Sequence, residues 1–242
     1  MAIKYYYDLI QKTDEWHQAR CGLLTASQMD LIITPAKLQV ANNDKSRNHL
    51  NELAAQRINQ YVEPTWFGGD MERGIIDEID AKQLYRQHYA PVVDCGFVTN
   101  DEWGFTLGMS PDGLVEASGL PNYTTPGQIE IKSRCQKYQM GTILDNAMPS
   151  DYLIQVQTGL LVTGRKWCDF ISYCSGMPML TVRIHADEAV QSAILTAAKV
   201  FEDAMKARLL LWENRIADNT LRLIPTERKI YNPNGDIAGD ES

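Results

Sequence analysis

The chain has 242 residues, 44% of them hydrophobic and 22% charged, with a formal net charge of −8. This is the balance of a globular chain long enough to bury a core, and the charge argues against a protein that coats nucleic acid through a uniformly basic surface. No apolar run approaches the roughly 18 residues a membrane helix needs, and five cysteines (Cys21, Cys95, Cys135, Cys168, Cys174) without a C-x-x-C pair read as free thiols, not as a disulfide frame or zinc site.

The N-terminus, MAIKYYYDLIQ, lacks the apolar segment and small-residue cleavage site of a signal peptide, so the expected location is the cytoplasm, without membrane contact. TDEWHQAR (13–20) predicts a short capped helix, and TASQMDLII (25–33) another that starts at Thr25 or Ser27. SRNHLNELAAQRINQYV (46–62) has helical apolar spacing after a Ser46 cap. GGDMERGIIDEIDAKQLYRQHY (68–89) predicts a long helix with Gly74, Glu78, Ala81 and Tyr85 on one face and Ile76 and Ile79 toward the other. APVVDCGFVT and WGFTLGMS, joined by a Thr-Asn-Asp turn, predict a hairpin, and IEIKS a third strand. SDYLIQVQTGLLVTG (150–164) reads as a helix stopped by Gly164. WCDFISYC and MLTVRIH form a second strand pair around SGMP, and 186–214 is a long amphipathic helix after an Asp187 cap. The pattern predicts one α/β domain over 1–225, a central mixed β-sheet flanked by helices, and a frayed, disordered tail over 226–242.

Alternate side chains of a strand share a face. Glu130 and Lys132 of GQIEIKS therefore project together, with Ile129 and Ile131 packed behind them, and Asp112 of GMSPDGLV lies on a segment able to approach the same point. Two carboxylates beside a lysine make a hard oxygen site suited to Mg²⁺ or Mn²⁺. Phosphodiester hydrolysis needs such a site: the metal activates water, and the lysine positions or deprotonates the nucleophile. A bare E-x-K triplet, however, arises by chance in most chains and then marks only a half-exposed strand.

SPDGL followed by IEIKS closely resembles the core motif of PD-(D/E)xK nucleases, a restriction-endonuclease-like fold. In particular it is similar to the YqaJ-like branch of phage recombination exonucleases typified by lambda exonuclease. Three more segments agree in order: EWHQARCGLLTAS (15–27) with W-x₃-R-x-G-x₂-T-A-S, MERGIIDEIDAKQLY (71–85) with G-x₃-E-x₂-A, and YLIQVQTGLLVTG (152–164) with Y-x₂-Q-x-Q. The resemblance covers about residues 14–175.

This resemblance implies that Asp112 and Glu130 are metal ligands, helped by the backbone carbonyl of Ile131, and that Lys132 is the catalytic lysine. Glu78 is then expected near the metal, and Gln155 beside the lysine or the water. Arg20, Thr25 and Ser27 are expected to hold the 5′-phosphate of a strand end, with Lys37 or Lys45 supplying a further cation. The implied activity is a Mg²⁺-dependent 5′-to-3′ exonuclease (Mn²⁺ as substitute) on double-stranded DNA ends. Such an enzyme releases mononucleotides and leaves 3′ single strands for an annealing partner, and members of the family form homotrimeric rings. A structure-specific or single-strand endonuclease on the same fold, and a non-catalytic DNA-end-binding protein, remain as alternatives.

The interval from Asp112 to Glu130, 18 residues, is longer than in the best-known member, and SGLPNYTTPG (118–127) is expected as a hairpin tip on the DNA path or at a subunit contact. His17, His49, His88 and His185 lack ligand spacing and are expected to be structural or surface residues. Trp66 and Phe67 are expected either in the core or as a wedge that parts the duplex end.

Overall fold

In a computed structural model, which describes residues 3–64 and 69–229, most elements form where local periodicity places them. The first half contains β1 (Lys4–Tyr6), α1 (Asp14–Arg20), β2 (Leu24–Thr25), a 3-10 helix (Ala26–Leu31), β3 (Ile33–Thr34), β4 (Gln39–Val40), α2 (Asp44–Asn59) and α3 (Gly69–His88). Then come β5 (Phe97–Asn100), β6 (Leu107–Met109), β7 (Gly113–Val115), β8 (Gly127–Ser133) and α4 (Gln136–Asp145). A 3-10 turn (Ser150–Tyr152) runs into α5 (Leu153–Thr163), followed by β9 (Trp167–Tyr173), β10 (Leu180–His185) and α6 (Glu188–Ile216). Trp66, Phe67 and residues 230–242 of the expected tail lie outside the described residues. Among the described residues no helix is long and apolar enough to cross a membrane.

The expected mixed sheet is present as two four-stranded mixed sheets, ordered β1-β5-β6-β2 and β10-β9-β8-β7, with β3-β4 as a small ribbon. Within the second sheet β8 and β9 run parallel while β7 and β10 pair antiparallel on either side. Parallel neighbours need a long crossover, and α4 with α5 supplies it. All seven residues of β9 are buried, as expected of a central strand covered on both faces. On one face Ala81 and Tyr85 of α3 pack against Ile129, Ile131 and Ile171. On the other, Val156 and Leu160 of α5 pack against Cys168 and Phe170. Ile76 and Ile79 point away, 56% and 62% exposed.

Several boundaries differ from expectation for local reasons. The segment from Thr25 to Ile33 is not an α-helix: Leu24–Thr25 pairs in parallel with β6, and only six residues of 3-10 helix follow. The cap of α2 is Asn43, not Ser46. Its side chain accepts from Ser46 N while Ser46 Oγ accepts from Asn43 N, a reciprocal capping box that starts the helix earlier. Thr13, Gly164 (φ 67°) and Asp187 serve as anticipated. All five cysteines are free thiols.

The 118–127 insertion folds back on its own chain. Ser118 N donates to Tyr123 O at 2.7 Å, and Tyr123 is buried edge-on against Trp167 with ring centroids 5.5 Å apart. The Arg183 guanidinium caps both rings at 3.7 and 4.9 Å. A Cβ at Gly127 would stand 2.2 Å from the Trp167 ring, so β8 opens with the residue that lets the indole lie against it.

Candidate active site

Antiparallel pairing of β7 with β8 stops at Gly113↔Ile129. Beyond that register the Asp112 side chain takes over the ladder: its Oδ2 accepts from Ile131 N at 2.5 Å. A strand residue presents its N–H and C=O to the same edge, so the Ile131 carbonyl also lies on the Asp112 side. Glu130 and Lys132 project together from the α5 face, and Gln155 of α5 meets them. Glu130, only 4% exposed, receives Lys132 Nζ at 2.7 Å and Gln155 Nε2 at 2.6 Å, both on Oε1. Lys132 Nζ also donates to Gln155 Oε1 at 3.2 Å and lies 5.2 Å from the Tyr152 ring centroid.

Each carboxylate is thus anchored through one oxygen. Asp112 Oδ1 and Glu130 Oε2 have no hydrogen-bond partner among the described residues. Burial, then the negative charges of Glu130 and Glu78, push the Asp112 carboxyl well above its ordinary range. Burial alone would lower the Lys132 ammonium, but Glu130 and Asp112 outweigh it and hold the group above its ordinary value. The electrostatics are those of an all-oxygen site that a cation relieves, which fits Mg²⁺ or Mn²⁺ better than a soft metal. Among the described residues no three His, Cys, Asp or Glu side chains gather to hold a metal.

Glu78 sits on α3, close enough to raise Asp112, and is paired with Lys12 at 3.6 Å and Lys82 at 3.7 Å. Its neighbour Asp77 is buried and accepts from Ser133 Oγ. The two glutamines of Y-x₂-Q-x-Q divide their work: Gln157 faces away, donating to His185 O and accepting from Asp187 N at the start of α6.

Arg20 forms a second cluster, tied to the first through the chain. Its Nη1 donates to Ser110 Oγ at 3.0 Å, two residues before Asp112, and Nη2 to Thr25 Oγ1 at 3.3 Å. The guanidinium lies 4.2 Å from the Trp16 ring, and Trp16 Nε1 donates to the same Ser110 Oγ at 2.8 Å. No carboxylate pairs with Arg20 among the described residues, and burial lowers its pKa to about 10, still cationic at neutral pH. Ser27 is exposed beside Thr25, with the two hydroxyls 3.5 Å apart. Lys37 and Lys45 are exposed, on the β3–β4 connection and at the start of α2, and no contact links either to Arg20 among the described residues. The site parts played by Trp16 and Ser110 are not legible from the W-x₃-R and S-P-D motifs alone, because the contact joins residues 94 apart in sequence.

Residues 15–166 match the sequence family described as the YqaJ-like viral recombinase domain, a segment that holds every candidate residue above. The chain belongs to the YqaJ-like viral recombinase family. Its structure is similar to that of an alkaline exonuclease, LHK-Exo, from Laribacter hongkongensis: 28% identity over 85% of this chain and 98% of that one, TM-score 0.71. The complex of LHK-Exo with dAMP gives TM-score 0.72 at the same identity and coverage. A phage related exonuclease from Haemophilus somnus, 14% identical over 77% of this chain and 96% of that one, shares the fold with TM-score 0.52. No curated protein sequence matches the chain. The fold is the α/β PD-(D/E)xK core expected of a YqaJ-like protein, and β9, which packs along β8, follows directly on the matched segment.

Proposed function

We propose that this protein is a Mg²⁺-dependent exonuclease that digests double-stranded DNA from 5′ ends and leaves 3′ single strands for an annealing partner. The observation that carries the hydrolytic half is the pair of unpartnered oxygens, Asp112 Oδ1 and Glu130 Oε2, beside a lysine held in its charged form. Asp112, Glu130 and the Ile131 carbonyl hold the cation, which when bound supplies a water of lowered pKa and neutralises charge on the scissile phosphate. Lys132, kept cationic by the carboxylates, orients the attacking water and stabilises the developing phosphorane charge. Gln155 fixes Lys132 and Glu130 relative to each other. Glu78 adds negative charge from the α3 side and sets the affinity for the cation. The likeness to LHK-Exo supports the exonuclease reading.

The 5′ direction rests on Arg20. A half-buried guanidinium without a carboxylate, flanked by Thr25, Ser27 and Ser110 hydroxyls, is an anion receptor. Lys37 and Lys45, both exposed, contribute to duplex binding farther out. A homotrimeric ring with a basic lining reconciles the net charge of −8 with DNA binding.

The test uses linear duplex with 5′-phosphate or 5′-hydroxyl ends and closed circular duplex, each with Mg²⁺ or EDTA. Mononucleotide release only from linear DNA, only with Mg²⁺, and faster from phosphorylated ends is the expected result. Cutting of the circle would establish an endonuclease, and no Mg²⁺-dependent hydrolysis would establish an end-binding protein. Arg20→Ala is expected to slow phosphorylated ends about ten- to a hundred-fold, the range of one charge-assisted hydrogen bond, and barely change hydroxyl ends. Equal slowing of both ends would assign Arg20 to folding or general DNA affinity instead.

A further inference from the structure

Past Lys132, the same face of the chain carries another cation. Arg134 directly follows β8, and its N–H still donates to Tyr173 O of β9 at 2.7 Å. The backbone therefore stays extended and places Arg134 on the Glu130–Lys132 face. Tyr152 spans the two cations: its ring centroid lies 5.2 Å from Lys132 Nζ and 5.5 Å from Arg134 Cζ, and Arg134 Nη1 donates to its hydroxyl at 2.7 Å. Arg134 has no carboxylate partner among the described residues, and its Nε is buried without a hydrogen bond. A half-buried guanidinium that lacks a counter-ion carries an uncompensated desolvation cost, which an anionic ligand relieves. At the second residue of α4, exposed Lys137 lies 4.7 Å from the Tyr138 ring centroid, and Arg134 lies 5.2 Å from the same ring. Tyr138 is itself 54% exposed.

We propose that Arg134 and Lys137 form a phosphate subsite for the strand being cut. Arg134 takes the backbone phosphate next to the scissile one, Lys137 the phosphate beyond, and Tyr152 and Tyr138 form the aromatic shelf beneath them. This subsite rests on the nuclease reading above. Alternate residues of a strand are about 6.6 Å apart, the same order as successive phosphates along a nucleic-acid strand. A strand whose scissile phosphate lies at Lys132 therefore presents its next phosphate to Arg134. Such contacts fix register without reading sequence, which suits an enzyme that advances along any DNA.

The test measures kcat/KM on linear duplexes that carry one uncharged methylphosphonate, placed in turn at each of the first few linkages. For the wild type, one linkage beside the scissile bond should be sensitive, with a loss of about ten- to a hundred-fold. Arg134→Ala should lose a similar factor on natural DNA and nothing further when that linkage is neutral. Lys137→Ala removes an exposed side chain that makes no hydrogen bond, so folding is not at issue. Its coupling should appear one linkage farther on, at roughly two- to five-fold. If both variants lose as much from every methylphosphonate as the wild type does, the subsite is overturned while the nuclease reading stands. A wild type without nuclease activity overturns both.

Discussion

Asp112→Ala is expected to abolish hydrolysis, by about a thousand-fold or more, while leaving DNA binding in place. The carboxylate has two structural relations with opposite signs. Its Oδ2 satisfies the Ile131 N–H, and an unpartnered buried N–H costs about 1–3 kcal/mol. Against this, burial, and then the charges of Glu130 and Glu78, push the Asp112 carboxyl well above the usual range. Deleting it removes that repulsion, so the two effects offset and the variant should fold. Asp112→Asn keeps an acceptor for Ile131 and should be at least as heat-stable as the wild type in EDTA. Mg²⁺ is expected to raise the wild-type Tm by binding only the folded state, and both variants should lose that rise. Without metal, a less negative site repels phosphate less, so DNA affinity in EDTA should be equal or tighter. Near-normal Mg²⁺-dependent turnover by either variant would remove Asp112 from the ligand set. Lost turnover with an unchanged Mg²⁺-induced Tm shift would make it a residue that shapes β8 but does not bind metal.

What the sequence reveals follows the range of the interaction concerned. The alternation Ile129, Glu130, Ile131, Lys132 is a local period of two, and it places both polar side chains on one face, as the α5-side contacts and the α3-side packing bear out. The Glu78–Ala81–Tyr85 face of α3 is equally local: Ala81 and Tyr85 are buried and Glu78 acts on Asp112. By contrast α4, QKYQMGTILD, has a central glycine and no clear apolar stripe, and it is held against β9 by a polar residue, buried Gln139, which bonds Ser172 and the Pro178 carbonyl. β1 and β7 are three residues each, too short for a period to register. Asn43 and Ser46 are both good caps in sequence, and the reciprocal bonds that choose between them exist only once the turn has formed. The division of strands into two sheets depends on pairings such as Leu24 with Leu107, which no window along the chain contains. The Trp16–Ser110–Arg20 cluster is hidden for the same reason.

Lys132 is where shape and charge separate. Lys132→Ala should lower the rate by several orders of magnitude, and Lys132→Arg should fail to restore it. The ammonium sits in a pocket bounded by Glu130 Oε1 at 2.7 Å, Gln155 Oε1 at 3.2 Å and the Tyr152 ring. A compact ion with three tetrahedral donors reaches two of these acceptors and still has a proton for the reacting water. A planar guanidinium is larger, directs its donors in a rigid fork, and matches the two carboxylate oxygens of Glu130 instead. That would occupy Oε2, the oxygen proposed to bind the cation. The arginine variant should therefore lose rate and also show a weaker Mg²⁺-induced Tm shift, which the alanine variant should not. Gln155 gives an independent reading, because it contacts both Lys132 and Glu130. Gln155→Ala alone should cost roughly ten-fold or more, as a positioning contact does, yet add little to Lys132→Ala, since residues that act as one unit are not additive. A double variant that loses the product of the two factors would mean that Gln155 works apart from the lysine. A fully active Lys132→Arg enzyme would reduce the position to a bare positive charge.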